Sequence, residues 1–534
     1  MARTSPTSTF SLWSCCCTLF LLSATLPPAH PMPVYYQRER DALIAAEQKL
    51  RIGGTGSSLS GQEQLVDKVL LQEKRRMVEA ARLHGADYPG RSDFLERSAM
   101  ARTVQNTSTA YSIIKNMPKG GVLHVHDEAI TSIDWLVKNV TYRDNCYICV
   151  TRDFSTKFHF FDTPPTDPDC TWRPVSDVRA EYGNDEEFDR LLHSNITLVT
   201  EDPAKAYPDI DAVWKEFMDY FDKVEGLMLY APVFEDYLYE GLKQFRQDNV
   251  QYLEIRGLLL PVYELDGSTH DKEWVLDVYK RVNDKFVKDY PDFTGFRFIM
   301  TSLRLKDRPS MLEDIKEAMR LYQRDPDFMV GFDLVGQEDP LQPLTYYLDD
   351  LLYPSLQNPP VNLPYFFHAG ETDWQETASD YNLVDALLLN TRRIGHGFAL
   401  HKHPYLLEEV KNRTICVEVN PISNQVLKLV DDLRNHPAAS LIADNFPLVI
   451  SSDDPGAWEA APLTDDFYVS FMALTGEEAG LATLKQLAKN SILYSALNHV
   501  DKAKALGSWE QKWNTFITTT VRDLIPGRDD VVAG

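Results

Sequence analysis

The sequence predicts a (β/α)8 barrel, and three observations carry that expectation. Eight short apolar or β-rich runs occur at residues 122–126, 251–255, 296–300, 329–334, 363–367, 393–394, 415–419 and 446–450. Most of the gaps between them hold helical patterns, the alternation expected of parallel strands with crossover helices. Four clusters, His124-Val-His126, His368-Ala-Gly-Glu371, Gly395-His396-Gly397 and Ser452-Asp453-Asp454, fall at the ends of the first, fifth, sixth and eighth runs. Barrel enzymes gather their sites at the C-terminal ends of the strands.

From the N-terminus, Arg3 precedes an apolar stretch over residues 10–22, and small residues follow up to Ala29. Residues 1–29 therefore read as a signal peptide, too short to span a bilayer. A secreted, extracellular mature chain without a membrane span is expected. Cys15, Cys16 and Cys17 leave with the leader, and Cys146, Cys149, Cys170 and Cys416 remain. An oxidising compartment favours a disulfide among them, and Cys416, inside an apolar run, reads as a buried thiol.

Residues 30–105 are charged and helical in pattern. Gly53-Gly54 and Ser57-Ser58 mark a loop, after which Val66, Leu70, Met77 and Ala81 share one helical face. That face packs on the barrel, on a second copy of the chain, or on both. The barrel itself is expected over 106–520, with a tail at 521–534. Pro118-Lys-Gly-Gly121 turns into the first strand, where alternate residues face the same side. His124 and His126 thus point together, roughly 7 Å apart, within reach of one metal ion. More than a hundred residues separate the first two runs, which requires an insert, placed at about 140–200 around the cysteines and the Pro164-Pro165 turn.

The clusters carry specific chemistry. Zinc takes imidazole nitrogen with an occasional carboxylate, and a catalytic site keeps one position for water. His124, His126, His368 and Asp453 would supply the ligands. Glu371, three residues beyond His368, would stand beside the metal, free to move protons as a general acid. His396, between two glycines, would orient or deprotonate the attacking water. Asp454 would fix the water or the substrate.

Each signal alone has a structural alternative. His401-Lys-His403 repeats the His-x-His spacing in a polar stretch, His396 alone fits a core histidine, and Asp453-Asp454 could cap a helix. Their conjunction at four strand ends is what points to a site. A decoy is rejected: His126-Asp-Glu128 followed by Cys146-Tyr-Ile-Cys149 mimics the small nucleobase deaminases, but Asn145 stands where their proline belongs.

The order of these motifs resembles the adenosine deaminase superfamily. The segments Pro364-Tyr-Phe-Phe-His-Ala-Gly-Glu-Thr-Asp-Trp374, Arg393-Ile-Gly-His-Gly-Phe-Ala-Leu400, Asn420-Pro-Ile-Ser-Asn-Gln-Val-Leu427 and Ile450-Ser-Ser-Asp-Asp-Pro455 look like its secreted branch, the adenosine deaminase growth factors or type-two adenosine deaminases. The similarity runs from about residue 35 to about 520. It implies zinc-dependent conversion of adenosine and 2′-deoxyadenosine to inosine products and ammonia, with one zinc per subunit on His124, His126, His368 and Asp453. It also implies that Glu371 protonates the purine ring, His396 acts on the water and Asp454 contacts the base. Asp127, Trp214 and Gly336 match substrate-contacting positions. Cys149 and Cys170 are implied as a disulfide, residues 30–105 as a homodimerisation arm, and the insert as a module for a receptor or glycan. The chain departs from the pattern at Ser302-Leu303, where some relatives place a histidine of the ribose pocket.

Sequons at Asn106, Asn139, Asn195 and Asn412 suggest glycosylation on exposed loops. Lys and Arg total 54 against 79 Asp and Glu, a net charge of −25 that speaks against a nucleic-acid partner. No basic cluster near the motifs would hold a nucleotide's phosphate. Two alternatives remain: an extracellular signalling or binding protein that keeps the barrel as a scaffold, and a deaminase of another aminopurine nucleoside. Intact ligands and an intact Glu371 favour the enzyme.

Overall fold

The computed structural model describes residues 32–54, 59–97, 108–152 and 155–524. The expected signal peptide, the sequon at Asn106 and most of the C-terminal tail lie outside them. In chain order the strands are β1 (Gly120–His126), β2 (Cys146–Val150), β3 (Thr156–Phe160), β4 (Arg173–Pro174), β5 (Val250–Gly257), β6 (Gly295–Leu303), β7 (Met329–Val335), β8 (His368–Ala369), β9 (Arg393–His396), β10 (Cys416–Val419) and β11 (Leu448–Ile450).

Eight of these build the barrel as two parallel arcs, β1-β5-β6-β7 and β8-β9-β10-β11. Single bridges bring the arc ends together. Phe332 pairs with Tyr365, and Val125 pairs with Asp453 just past β11. At the second seam the His126 amide donates to the Asp453 carbonyl at 3.0 Å, and the Asp453 amide donates to the His124 carbonyl at 3.1 Å. The result is the expected (β/α)8 arrangement.

The fifth strand is displaced from its apolar run. Its ladder covers only His368–Ala369, and the run 363–367 contributes one bridge. Pro364 has no amide hydrogen to offer a ladder, and its carbonyl instead accepts from the Phe332 amide at 2.9 Å.

The outer helices follow their sequence signals. Lys272–Asp289 starts where the Asp271 side chain accepts from the Trp274 amide at 2.9 Å, and buries Val275, Val278, Tyr279, Val282 and Phe286 at helical spacing. Gly61–His84 opens with a capping box, Ser60 and Glu63 each accepting the other's backbone amide.

The face of that helix is covered from within the chain. Val66, Leu70 and Met77 are buried, and the helix packs on Thr109–Asn116, Leu481–Leu493 and His499–Leu524. Lys74 is buried with it, donating to the carbonyls of Phe471, Thr475 and Gly476 at 2.6–3.0 Å. Of the partners open to this face, the chain's own helices are the ones seen to cover Val66, Leu70 and Met77. The chain divides into two compact units between Glu47 and Gln48. In the first, the helix beginning at Met32 exposes Val34, Tyr35, Tyr36, Leu43 and Ile44.

The insert is longer than the 140–200 expected. It holds an antiparallel sheet of order β3-β2-β4, then the helices Val175–Tyr182, Asp185–Ile196 and Ile210–Met228. Cys149 of β2 is disulfide-bonded to Cys170, with Cα atoms 5.8 Å apart, while Cys146 and Cys416 are buried thiols. Asn139 and Asn412 are exposed, and Asn195 is half-buried with its amide donating to the Leu191 carbonyl at 2.9 Å. All three lie in helical segments, not in loops, since a three-residue signal carries no information on backbone conformation.

Candidate metal centre and active site

The four strand-end clusters meet at the C-terminal mouth of the barrel. His124 and His126 come from β1, His368 from β8, and Asp453 from the turn after β11. One ligand atom from each falls within 4.8 Å of all the others. Gly395 makes room for this approach, since a Cβ there would stand 3.0 Å from His124 Cε1 and 3.2 Å from His368 Cα.

Outer carboxylates fix which ring nitrogens face inward. Glu418 accepts from His124 Nδ1 at 2.8 Å, and Asp333 accepts from His368 Nδ1 at 2.7 Å. Both Nε2 atoms therefore present lone pairs, and they face one another at 3.0 Å. Asp453 Oδ1 lies 3.2 Å from Nε2 of both His124 and His126. Four electron-pair donors converging in this way repel unless a cation is shared among them, so the donor set fits a divalent metal with nitrogen-rich preferences.

Beneath the ligands the barrel interior is charged. Arg256 donates to Asp333 at 2.8 Å and to Glu418 at 2.7 Å, while Arg393 bridges Glu418 to Glu254. Burial alone would raise the Asp333 carboxyl, but His368 and Arg256 outweigh it and hold it far below the usual range. Burial of Glu418 is likewise outweighed by Arg256, Arg393 and His124. These anions stay charged, and so keep orienting the imidazoles. The sequence reading missed this layer, although charged residues inside apolar strands such as Met-Val-Gly-Phe-Asp333 and Cys-Val-Glu418 were its signal.

Glu371 stands above the metal ligands. Its amide and that of Gly370 donate to Glu338, at 2.9 and 3.3 Å, which pins the loop. Burial pushes the Glu371 carboxyl well above its ordinary value, with Asp453 and Glu338 adding to the shift. Burial thus favours its protonated form, the form a proton donor needs.

His396 is held by a relay absent from the sequence reading. The Ala438 amide donates to His436 Nδ1 at 3.0 Å, His436 Nε2 then donates to Asn424 Oδ1 at 2.9 Å, and Asn424 Nδ2 donates to His396 Nδ1 at 3.1 Å. This leaves the His396 proton on Nε2, which points toward Asp453 Oδ2 at 3.6 Å. Asn420 Nδ2, 3.5 Å from the same nitrogen, is too distant to compete. His396 and Asp453 both adopt φ of 59°, left-handed backbone that is rare outside glycine and concentrates at functional sites.

One cavity of about 940 Å³, counted to its open mouth, connects these groups. It is lined by Asp127, Trp214, Gly336 and Asp454 as well as by His126, His368, Glu371, His396 and Asp453. Trp214, Phe217 and Phe221 of the insert helix Ile210–Met228 form an aromatic wall. Gly257 leaves space for Asp127, whose Oδ2 would be 2.3 Å from a Cβ there. Burial raises the Asp127 carboxyl to about 7, against the lowering effect of the Tyr279 hydroxyl that donates to it. Leu303 lines the cavity at the departure noted in the sequence, and Ser302 is turned away to donate to Asp314 at 2.6 Å.

Comparison with known proteins gives a consistent picture. A family model described as adenosine deaminase matches residues 195–510, and one described as adenosine/AMP deaminase N-terminal matches residues 15–113. The chain is 47% identical to adenosine deaminase 2-A of Danio rerio, over 90% of this chain and 93% of that protein. It is 44% identical to adenosine deaminase 2 of Homo sapiens, over 93% and 96%. Among solved structures, the adenine deaminase of Arthrobacter aurescens aligns with a TM-score of 0.52 at 18% identity, covering 74% of this chain and 99% of that one, a likeness of fold.

Proposed function

This chain belongs to the adenosine deaminase family, and on that premise we propose that it is a secreted enzyme whose metal is a single zinc ion held by His124, His126, His368 and Asp453. The reaction is hydrolytic deamination, in which water replaces the 6-amino group of adenosine, giving inosine and ammonia. The 2′-deoxynucleoside is a second substrate in this reading. Zinc in such a site lowers the pKa of the water it holds to near 7.

The chain's own residues do the remaining work. Glu371, whose protonated form burial favours, gives its proton to the purine ring as the ring accepts the nucleophile. His396 offers Nε2–H, and so orients the water as a donor. Asp454 Oδ1, buried and without a partner among the described residues, is free to receive a donor from the base. Trp214, Asp127 and Gly336 line the remainder of the cavity. Among the described residues no lysine or arginine lines it, which favours a nucleoside over a nucleotide.

The observation that carries this reading is the pair of bare Nε2 lone pairs at 3.0 Å, beside a buried Glu371 whose carboxyl burial shifts upward. Secretion is supported by the apolar leader and the Cys149–Cys170 bridge. A homodimer is supported by the apolar residues exposed on helix Met32–Leu50. The deciding experiment is a spectrophotometric adenosine-to-inosine assay on the purified protein, with metal analysis and with a chelator. Turnover without stoichiometric zinc, or unaffected by chelation, overturns the zinc reading.

A further inference from the structure

The cavity has an acidic side that the mechanism above does not use. Asp127, Glu128, Asp222 and Glu225 all line it. Asp127 is engaged by the Tyr279 hydroxyl. Glu128 is different. The short turn Asp127–Ala129 carries it from the end of β1 toward the insert helix Ile210–Met228, and the Tyr220 hydroxyl of that helix donates to its backbone carbonyl at 3.3 Å. Its side chain is only 8% exposed, and Oε1 receives no hydrogen bond. Its carboxyl shares a hydrogen bond with that of the half-buried Glu225, which leaves Oε1 as the oxygen without a partner. A buried carboxyl oxygen without a partner thus stands beside a half-buried second carboxyl, in a cavity where no lysine or arginine is among the described lining residues, an arrangement that a ligand's own donor would satisfy.

We propose that Glu128 and Glu225 form a subsite for a hydrogen-donating group, preferably a protonated amine, on the ribose end of the purine nucleoside. This rests on the function proposed above. With Glu371 and Asp454 taking the purine, the group that reaches the insert helix belongs to the sugar. The subsite then selects among nucleosides: a 5′-hydroxyl is accepted, a 5′-ammonium is preferred, a 5′-methyl leaves the pair unsatisfied, and a 5′-phosphate is repelled.

The test uses the full-length metal-loaded enzyme and four probes: adenosine, 5′-deoxyadenosine, 5′-amino-5′-deoxyadenosine and adenosine 5′-monophosphate. A hydrogen bond to a charged group corresponds to at least about tenfold in kcat/KM, so the amino compound is expected to exceed the 5′-deoxy compound by that factor, with the monophosphate poorest. In Glu128→Gln/Glu225→Gln the ratio of amino to deoxy should fall to within about threefold of unity. Equal kcat/KM for the amino and deoxy compounds in the unaltered enzyme overturns the proposal, as does an unchanged ratio in the folded variant. If the double variant does not fold, Glu225→Gln is read in its place. An enzyme that turns over no adenosine defeats the proposed function instead. Calorimetric affinities for the same probes then still rank the subsite, and equal affinities for the amino and deoxy compounds overturn it.

Discussion

Burial, reinforced by Asp453 and Glu338, raises the Glu371 carboxyl and so favours its protonated form. Glu371→Gln retains the shape and removes the acid, so it should bind metal normally and lose about 10²–10⁴-fold in kcat. Metal analysis alongside single-turnover rates checks both halves, and normal turnover would remove Glu371 from the mechanism. His124→Ala deletes one of the converging nitrogens, and the purified variant should contain no stoichiometric metal. The third prediction concerns the relay behind His396. His436, which burial holds neutral by lowering its pKa to about 3, fixes the orientation of Asn424. In His436→Leu the amide is free to rotate, which should lower kcat about tenfold, the value of one hydrogen bond, with metal content unchanged. Retention of full kcat would mean that the His396 tautomer is set without the relay.

At the scale of elements, Glu63 joins the cap of helix Gly61–His84 to two other helices through Lys485 and the Trp513 indole. Burial would raise its carboxyl, but hydrogen bonds from Lys485, the Ser60 amide and Trp513 bring it down to about 2. A depressed carboxyl stabilises the fold above its unfolded value of 4.5 and loses that contribution as pH falls toward 2. Glu63→Gln should therefore be less stable by about 1–3 kcal/mol at pH 7, with the difference shrinking between pH 4.5 and 2. Urea midpoints at several pH values test this, and a difference independent of pH would refute it. Most barrel elements were legible because a strand end is marked by both its apolar run and the polar residue that follows. β8 was misplaced because Pro364 interrupts the ladder inside the most apolar part of its run. The carboxylates behind His124 and His368 were overlooked because Asp333 and Glu418 are isolated in sequence, and become neighbours of the histidines only when the barrel forms. The burial of Val66, Leu70 and Met77 was half legible: their spacing shows a face, but not whose surface covers it.

For the whole molecule, net charge and assembly are connected. At −25, two copies repel, so a dimer formed through the exposed apolar residues of helix Met32–Leu50 should tighten as salt is added. Light scattering at micromolar concentration should show a dimer, and removal of residues 30–50 should give a monomer that still binds metal. A monomeric intact protein overturns the dimer. The seam between the first and last barrel strands has its own consequence. Asp453 is at once the residue that pairs with Val125 to join those strands and a candidate ligand beside His124 and His126. A bound cation would therefore act as a clasp on the ring. Metal occupancy and resistance to heat become one quantity, so the stripped protein should unzip first along this line, and the His126 and Asp453 amides should be the earliest in the barrel to exchange their hydrogens with heavy water.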